Sequence, residues 1–481
     1  MEDIEMEDFE TVNGALVKYN GTDEDVVIPE GVTVIERGAF SENQHIKKIT
    51  IPKCVTKIKL GAFSDCTNLV NVTMHEGITM IEDNVFYGCT SLESVTIPDS
   101  VTSIGSCAFE DCKKLVNVTI PDSVTRIKLS AFENCTSLKS VTIPNSVTEI
   151  EGDAFENTPW LKNKRRENSF VVINGILIDG KSCKGSITIP EGVIKIGGHA
   201  FKGCKRIKSG TLPEGITEIR SEAFSNCAGL GEVILPESLT AIDHRAFYSC
   251  QRLISITIPN GVTKIGFSAF YQCSRLKEIT IPPSVSDIEE DAFGLTPWLE
   301  KKRMEDPLVV INGILIDGRS CAGSVTIPEG ITKIGNGAFR YSDAGLKSIT
   351  LPDSVTEIGD MAFHGSELEN VIVHEGLTKI GTKAFEGTPW LRNRQKEDPL
   401  VIINGILIDG ENCKGSVTIP DSVTKIAKSA FWGCNGLENI TIPESVTDIG
   451  RYAFLCNGVL VHYKGKTYDQ KNMDELYDLF C

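Results

Sequence analysis

The residues of this sequence best suited to metal or redox chemistry are its 16 cysteines, most of which follow a regular pattern. Zinc sites need ligands in close pairs such as C-x-x-C, and the sequence contains no such pair. Free cysteine is among the most buried residue types, so a small core position repeated along the chain explains the pattern better. We therefore predict a structural role for them, and no metal or cofactor. Nine cysteines lie three residues after a phenylalanine: Cys66, Cys89, Cys112, Cys135, Cys204, Cys227, Cys250, Cys273 and Cys434.

Other residues replace cysteine at this position in some repeats. Asn43, Thr158, Ser342 and Ser366 stand there, so a disulfide is not required for the fold. Whether cysteines of adjacent repeats pair stays open at the level of sequence. So many cysteines without a required bond favour a reducing compartment.

Threonine also forms regular rows, one including Thr50, Thr73 and Thr96 and the other including Thr102 and Thr125. Regular threonine arrays on a flat surface could order ice. The alternative is that β-branched residues simply suit exposed strand positions. We favour the alternative, because the two rows lie on different predicted strands.

No arrangement of residues typical of a catalytic site is present. The seven histidines are scattered, without H-E-x-x-H, and no phosphate-binding loop or G-x-S-x-G motif occurs. Acidic pairs such as Glu289-Glu290 are interpreted as solvated surface. The basic runs 162–166, 301–303 and 392–396 could dock an acidic partner, but their recurrence at one structural place favours a solvated helix face. We predict that the chain is not an enzyme.

Charge and hydropathy exclude further classes of function. The formal net charge of -17 disfavours nucleic acid as a partner. No apolar run of ~18 residues is present, so we expect no membrane insertion. The acidic start MEDIEMEDFE does not resemble a secretory leader. Together with the cysteines, this predicts a cytoplasmic location.

Phenylalanine recurs along the whole chain with a period of 23 residues. Spacings of 24 and 22 occur once each, and three gaps of 46 residues equal two repeats. A period of 20–29 residues is that of leucine-rich repeats, in which stacked coils bury a continuous core. The sixteen residues are Phe40, Phe63, Phe86, Phe109, Phe132, Phe155, Phe201, Phe224, Phe247, Phe270, Phe293, Phe339, Phe363, Phe385, Phe431 and Phe454.

One repeat, LESVTIPDSVTSIGSCAFEDC from Leu92 to Cys112, shows the expected local structure. The segment L-x-x-V-T-I is extended and ends at Pro98, since proline cannot donate to a ladder. The segment V-T-x-I is a second short strand, and Gly105 permits a turn. Ala108 and Phe109 then lie in a tight helical or 3₁₀ turn that brings the chain round.

The pattern L-x-x-V-T-I-P-x-x-V-T-x-I-G-x-x-A-F-x-x-C resembles the BspA-like (Treponema-type) leucine-rich repeats over nearly the whole chain. The resemblance implies a β-rich leucine-rich-repeat solenoid, a curved right-handed coil of ~23-residue repeats with parallel sheets and short helical turns. It also implies adhesion to host or cell-surface proteins, because members are mostly bacterial or protist surface proteins. That location is the alternative to the cytoplasm.

Three β-hairpin junctions interrupt the repeats. Each begins TPWL, at Thr158, Thr296 and Thr388, where threonine suits a helix N-cap and proline the first helical position. Each continues to a V-x-I-N-G-I-L-I-D-G segment, in which N-G predicts a hairpin turn. We predict a single continuous solenoid over residues 1–481, with blocks 9–160, 170–298, 308–390 and 400–454 and a C-terminal cap at 455–481.

The remaining function is protein binding. Exposed aromatic residues mark binding hot spots, and Tyr248 and Tyr271 fall one repeat apart. We predict that they and the strand residues Lys277 and Glu278 contact an unidentified protein partner, for which the family resemblance suggests a host or cell-surface protein. The chain is then an adhesin-like scaffold and a monomer; the alternative is a purely structural spacer, which would tolerate charge reversal across the sheet face.

The cytoplasmic location makes a measurable prediction. Protein isolated from its own cells should fractionate with soluble proteins, and all 16 cysteines should titrate as thiols after denaturation without reductant. Cell fractionation followed by thiol titration checks this. A surface fraction containing oxidised cysteines would instead support the location implied by the family resemblance.

Overall fold

The computed structural model describes residues 8–342, 344–456, 458–470 and 472–480. Two compact units divide the chain, Met1–Val262 with Ala269–Pro282 and Thr263–Ser268 with Pro283–Cys481. In both units the chain winds as a β-solenoid, as predicted. Each coil contributes one strand to a main parallel ladder, one two-residue strand to a second ladder, and a turn that carries the repeat phenylalanine.

The main ladder arises from the L-x-x-V-T-I segments, and residues 23 apart pair in register. Val118 pairs with Val141, and both point inward while the threonines beside them are exposed. The strands are Asp25–Val27, Lys48–Ile51, Asn71–Met74, Ser94–Val95, Asn117–Thr119, Ser140–Thr142, Gly185–Thr188, Ile207–Thr211, Glu232–Ile234, Ser255–Thr257, Glu278–Thr280, Gly323–Thr326, Leu346–Thr350, Asn370–Ile372, Gly415–Thr418, Leu437–Thr441 and Leu460–Tyr463.

The second ladder arises from the V-T-x-I segments. In each of these two-residue strands the second residue is isoleucine, and its side chain is buried, as at Ile104 and Ile127. The strands are Val34–Ile35, Lys57–Ile58, Met80–Ile81, Ser103–Ile104, Arg126–Ile127, Glu149–Ile150, Lys195–Ile196, Glu218–Ile219, Ala241–Ile242, Lys264–Ile265, Asp287–Ile288, Lys333–Ile334, Glu357–Ile358, Lys379–Ile380, Lys425–Ile426 and Asp448–Ile449.

The threonine rows have a structural explanation in the second ladder. The Thr102 hydroxyl donates to the carbonyl of Thr79 at 3.0 Å, and Thr125 donates to Thr102 at 3.3 Å. These hydroxyl protons bond the previous coil, which supports the structural interpretation of this row.

The turn at the phenylalanine has 3₁₀-type hydrogen bonds within its own coil. Its hydrogen bonds to the next coil resemble those between strands of a sheet. The N–H groups of Cys107, Phe109 and Asp111 donate to carbonyls of the next coil at 2.8–3.0 Å. The intervening residues and Cys112 donate to carbonyls three residues back, at 3.2–3.3 Å. Cys107 and Asp111 adopt φ of 54° and 60°, so a left-handed residue lies at each end of the helical turn expected from the sequence.

Stacked phenylalanine rings fill the core beneath these turns. Phe109 and Phe132 lie 5.2 Å apart with an interplanar angle of 3°, and both are fully buried. The ring stack ends at a junction tryptophan, as where the Trp160 ring lies 4.7 Å from Phe155. The sequence period therefore corresponds to a column of aromatic rings.

The repeated cysteines are buried hydrogen-bond donors. The Cys112 thiol donates to the carbonyl of Phe86, in the preceding coil, at 3.3 Å. Where serine replaces cysteine, the Ser342 hydroxyl donates to Arg319 and Ser366 to Phe363, again to backbone carbonyls. The 15 described cysteines are free, and burial raises the pKa of Cys66 to about 12 and that of Cys112 well above its usual value. Their predicted structural role is confirmed.

Each junction combines a helix and a hairpin, as predicted. Thr158 caps its helix by accepting from Leu161 N–H at 3.1 Å. Asn174 takes the positive φ of the hairpin turn, and its side chain donates back to Pro144 and Val147. The helices are α1 (Pro159–Glu167), α2 (Pro297–Glu305) and α3 (Pro389–Glu397). The hairpin strands are Val171–Ile173 with Ile176–Asp179, Val309–Ile311 with Ile314–Asp317, and Val401–Ile403 with Ile406–Asp409.

Both ends of the described chain carry additional elements. A hairpin of Phe9–Val12 and Ala15–Tyr19 precedes the first coil. Lys466–Tyr468 pairs with the last main strand, and helix α4 (Met473–Tyr477) and the 3₁₀ helix Asp478–Phe480 follow. The Tyr477 hydroxyl accepts from Phe454 N–H at 3.1 Å, and so takes the place of the next coil's carbonyl.

We predict that Gly180→Ala destabilises the fold. Gly180 ends a hairpin strand against the face of the Phe201 ring, and an added Cβ would collide with that ring. Overpacking of this kind costs about 1–3 kcal/mol of unfolding free energy, which urea denaturation measures. Gly210→Ala is the matched control, since its Cβ would meet nothing closer than 3.8 Å. Equal stability of the two variants would contradict the prediction.

Candidate functional site

Tyr248 and Tyr271 form a stacked pair on the turn surface. Each follows a repeat phenylalanine, and Ser249 N–H donates to the Tyr271 carbonyl at 2.8 Å, which fixes adjacent coils in register. The rings lie 5.6 Å apart, 7° from parallel, and are half-buried. The Arg245 guanidinium carbon lies 5.7 Å from the Tyr248 ring centre. The sequence spacing alone predicted this pairing.

Lys277 and Glu278 lie on a different surface, at the start of the strand Glu278–Thr280. Both are exposed, and Glu278 pairs in register with Ser255. Lys277 N–H donates to the carbonyl of Ile254, whose side chain is 52% exposed. Among the described residues, no hydrogen bond or ring contact connects Lys277 or Glu278 to the tyrosine pair.

Sequence reasoning missed the apolar side chains on this strand face. Ile254 stands where the next coil has Lys277, and Ile234, 54% exposed, stands where other coils have an outward threonine. The signal was present, because the repeat reads V-I-L-P at Ile234 instead of V-T-I-P.

The first junction contains a network of charged side chains. Arg165 of α1 donates two hydrogen bonds to Asp179 at 2.9 and 2.6 Å and also contacts Glu156 at 2.7 Å. Burial alone would raise the pKa of Asp153, but hydrogen bonds from His199 and Lys181 bring it well below its usual value. The predicted solvated basic run therefore includes one arginine that forms an ion pair with the hairpin.

The second junction repeats this arrangement with different residues. Arg303 of α2 donates to both oxygens of Asp317 at 3.1 and 2.8 Å. Arg319 also contacts Asp317, and its other nitrogen lies 2.8 Å from Asp291. Asp317 is fully buried, so this carboxylate depends on its two arginines.

The third junction lacks both cations. Gln395 of α3 donates to Asp409 at 2.8 Å, and Glu411 follows the hairpin in place of a basic residue. Burial raises the pKa of Asp409 to about 6, despite the hydrogen bond from Gln395. A buried carboxylate without a cationic partner favours its protonated form.

The described residues contain no group of three or more histidine, cysteine, aspartate or glutamate side chains placed to hold a metal ion. In the same part of the chain, every helix is too short or too polar to cross a lipid bilayer.

Comparison with known protein families identifies the family of this chain. The family described as BspA type leucine rich repeat region (6 copies) matches residues 18–130, 56–182, 178–299, 318–404 and 411–465. The chain belongs to this family. The BspA-type repeat explains the architecture that the coils share. The tyrosine pair is found on two coils only, and the third junction differs from the other two.

Several solved leucine-rich-repeat structures are similar to this BspA-type chain. A leucine-rich repeat protein from Bacteroides ovatus is 22% identical, covers 93% of this chain and 94% of its own, and has a TM-score of 0.29. A leucine rich cell surface protein from Faecalibacterium prausnitzii is 24% identical, with coverages of 96% and 92% and a TM-score of 0.24. The T. pallidum leucine rich repeat protein is 23% identical, with coverages of 50% and 82% and a TM-score of 0.25. No curated protein matches the chain.

We predict that Asp409→Asn removes a pH-dependent loss of stability. Because the folded pKa of about 6 lies above the ordinary aspartate value of 3.8, the wild type should lose stability as pH rises from about 4 through 6. The free energy of unfolding of the variant minus that of the wild type should be larger by about 1–2 kcal/mol at about pH 7.5 than at about pH 4. Urea denaturation at both pH values measures this double difference.

Asp317→Asn is the matched control for this prediction. It removes the carboxylate that accepts from two arginines, so it should lower stability at about pH 7.5. A wild-type stability that does not fall between about pH 4 and 7.5 relative to Asp409→Asn would show that Asp409 titrates normally.

Proposed function

We propose that this BspA-type repeat chain is a protein-binding, adhesin-like scaffold without catalysis, and that the stacked Tyr248–Tyr271 pair contacts its partner. The observation that carries the proposal is a parallel pair of half-exposed aromatic rings with an arginine beside it. Tyrosine, tryptophan and arginine are the residues most enriched at binding hot spots.

The rigidity of the solenoid supports this role. The turns that carry the two tyrosines are bonded to one another through the backbone, and the phenylalanines beneath them stack at 5.3 Å. Side chains already ordered before association lose little conformational entropy on binding. A partner can therefore gain contact area from both rings without ordering the loop that presents them.

The strand face offers a second contact surface of different chemistry. Ile234 and Ile254 are more than half exposed there, and Lys277 and Glu278 flank them with opposite charges. An apolar centre with a charged rim is typical of protein interfaces. We assign this face to the same partner as a secondary contact.

The proposal is tested with the full chain and two variants on a protein array, followed by measurement of affinity for each protein that binds. The expected result is a partner with a Kd on the order of micromolar, whose affinity falls at least about tenfold in Tyr248→Ala/Tyr271→Ala. Truncating two neighbouring aromatic anchors should cost at least about 1.4 kcal/mol of binding free energy.

Tyr87→Ala is the matched control, because Tyr87 occupies the same turn position with serine and glutamate in the adjacent coils. It should leave affinity unchanged and report any general effect of losing a turn tyrosine. Absence of any partner at micromolar concentration would favour the structural spacer. A partner that binds the double variant normally would place the contact elsewhere on the chain.

A further inference from the structure

The three junctions align in sequence, and they differ in the side chains that surround one aspartate. In each, an aspartate ends the second hairpin strand: Asp179, Asp317 and Asp409. In the first two, the helix supplies an arginine that donates two hydrogen bonds to this aspartate, at 2.6–3.1 Å. The family fold therefore builds a site at this aspartate that holds a guanidinium group.

The third junction keeps the aspartate and loses both cations that serve it. Gln395 stands at the helix position of Arg165 and Arg303, and Glu411 stands at the position of Lys181 and Arg319. The Gln395 side chain and the Glu411 N–H both donate to Oδ1 of the Asp409 side chain. Among the described residues, Asp409 Oδ2 accepts no hydrogen bond.

A larger void accompanies this loss. The cleft at Asp409 has a volume of about 30 Å³, whereas the equivalent spaces at Asp179 and Asp317 have about 10 Å³ each. Leu391 and Phe385 form its apolar wall, and Trp432, 46% exposed, lines it as well. Glu411 lines this cleft, whereas Arg319 lines the equivalent space of the second junction.

The charges that face this cleft are unbalanced. Glu386 and Glu411 line it together with Asp409, and Lys383 is the one cation in its lining. The Lys383 ammonium already lies 2.9 Å from Glu386 and 3.7 Å from the Trp432 ring centre. Lys383 therefore neutralises Glu386 and marks the ring face as a place where a cation is stable. The raised pKa of Asp409 is consistent with a carboxylate that lacks a cationic partner.

We propose that the cleft at Asp409 binds the guanidinium group of an arginine side chain presented by a protein partner. Arginine fits better than lysine, because its planar fork can bond both carboxylate oxygens at once. The inference rests on the proposed function only in taking the source to be a protein; the site is remote in sequence from Tyr248 and Tyr271, and its chemistry is testable without any partner.

The test uses the full chain and three acetylated, amidated tripeptides, Gly-Arg-Gly, Gly-citrulline-Gly and Gly-Lys-Gly. Binding is followed by NMR of the four tryptophan indole N–H groups, with the Trp432 signal assigned through Trp432→Phe. The arginine peptide should shift the Trp432 signal with a Kd on the order of 0.1–1 mM, since one side chain offers little binding energy. The citrulline peptide, which is isosteric and neutral, should bind at least about tenfold more weakly.

Gln395→Arg supplies the missing guanidinium from within the chain, as α1 and α2 do. This variant should raise stability and abolish peptide binding, because its guanidinium would bond both oxygens of Asp409, as Arg303 does at Asp317. Asn393→Arg is the matched control, since it adds the same charge at an exposed position of the same helix and should leave binding unchanged. We use this pair of variants instead of Asp409→Asn, because Asp409→Asn itself changes the stability of the chain.

Four results would overturn the proposal. Three of them are no shift of the Trp432 signal at about 10 mM arginine peptide, equal binding of the citrulline peptide, and unchanged binding by Gln395→Arg. Stronger binding of the lysine peptide would replace the guanidinium with an ammonium group and also overturn it. A failed protein array would bear on the scaffold proposal and leave these peptide measurements as they are.

Discussion

Backbone hydrogen bonds from each coil to the next are the constraint on which the other features depend. At the turn, every second N–H donates forward, which requires left-handed residues on either side of the phenylalanine. This spacing brings the aromatic rings into contact and places the cysteine thiol beneath a carbonyl of the preceding coil. The last coil has no following turn, and the hydroxyl of Tyr477 accepts the N–H of Phe454 in its place.

The junctions show what happens when the phenylalanine column is interrupted. A tryptophan from the helix ends one stack, and a glycine at the end of the hairpin accommodates the first ring of the next, as Trp160 and Gly180 do in the first junction. This arrangement places an aspartate away from water. An ionised carboxylate there is unfavourable in free energy unless a cation pairs with it. Two junctions supply that cation from their own helix, and the third does not.

The inward positions are strongly constrained, whereas the outward positions are free to vary. A core residue contacts its equivalents on both adjacent coils, so a change in volume at one coil is felt by its neighbours. An outward residue is not packed in the core, so side chains that can bind a partner can stand at these positions without loss of the fold. The stacked tyrosines, the exposed isoleucines and the open carboxylate at Asp409 are all exceptions to otherwise repetitive rows.

The sequence by itself determined the repeat, the strands, the junction helices and the hairpins, because each follows from a local pattern of apolar, proline, glycine and asparagine residues. It also predicted the Tyr248–Tyr271 pair, since residues one period apart must be neighbours. Only the tertiary structure decided that Arg165 reaches Asp179, that a thiol meets a carbonyl 26 residues earlier, and that Asp409 lacks such a cation. Those contacts join different segments of the coil, and their geometry depends on side-chain directions that no period specifies.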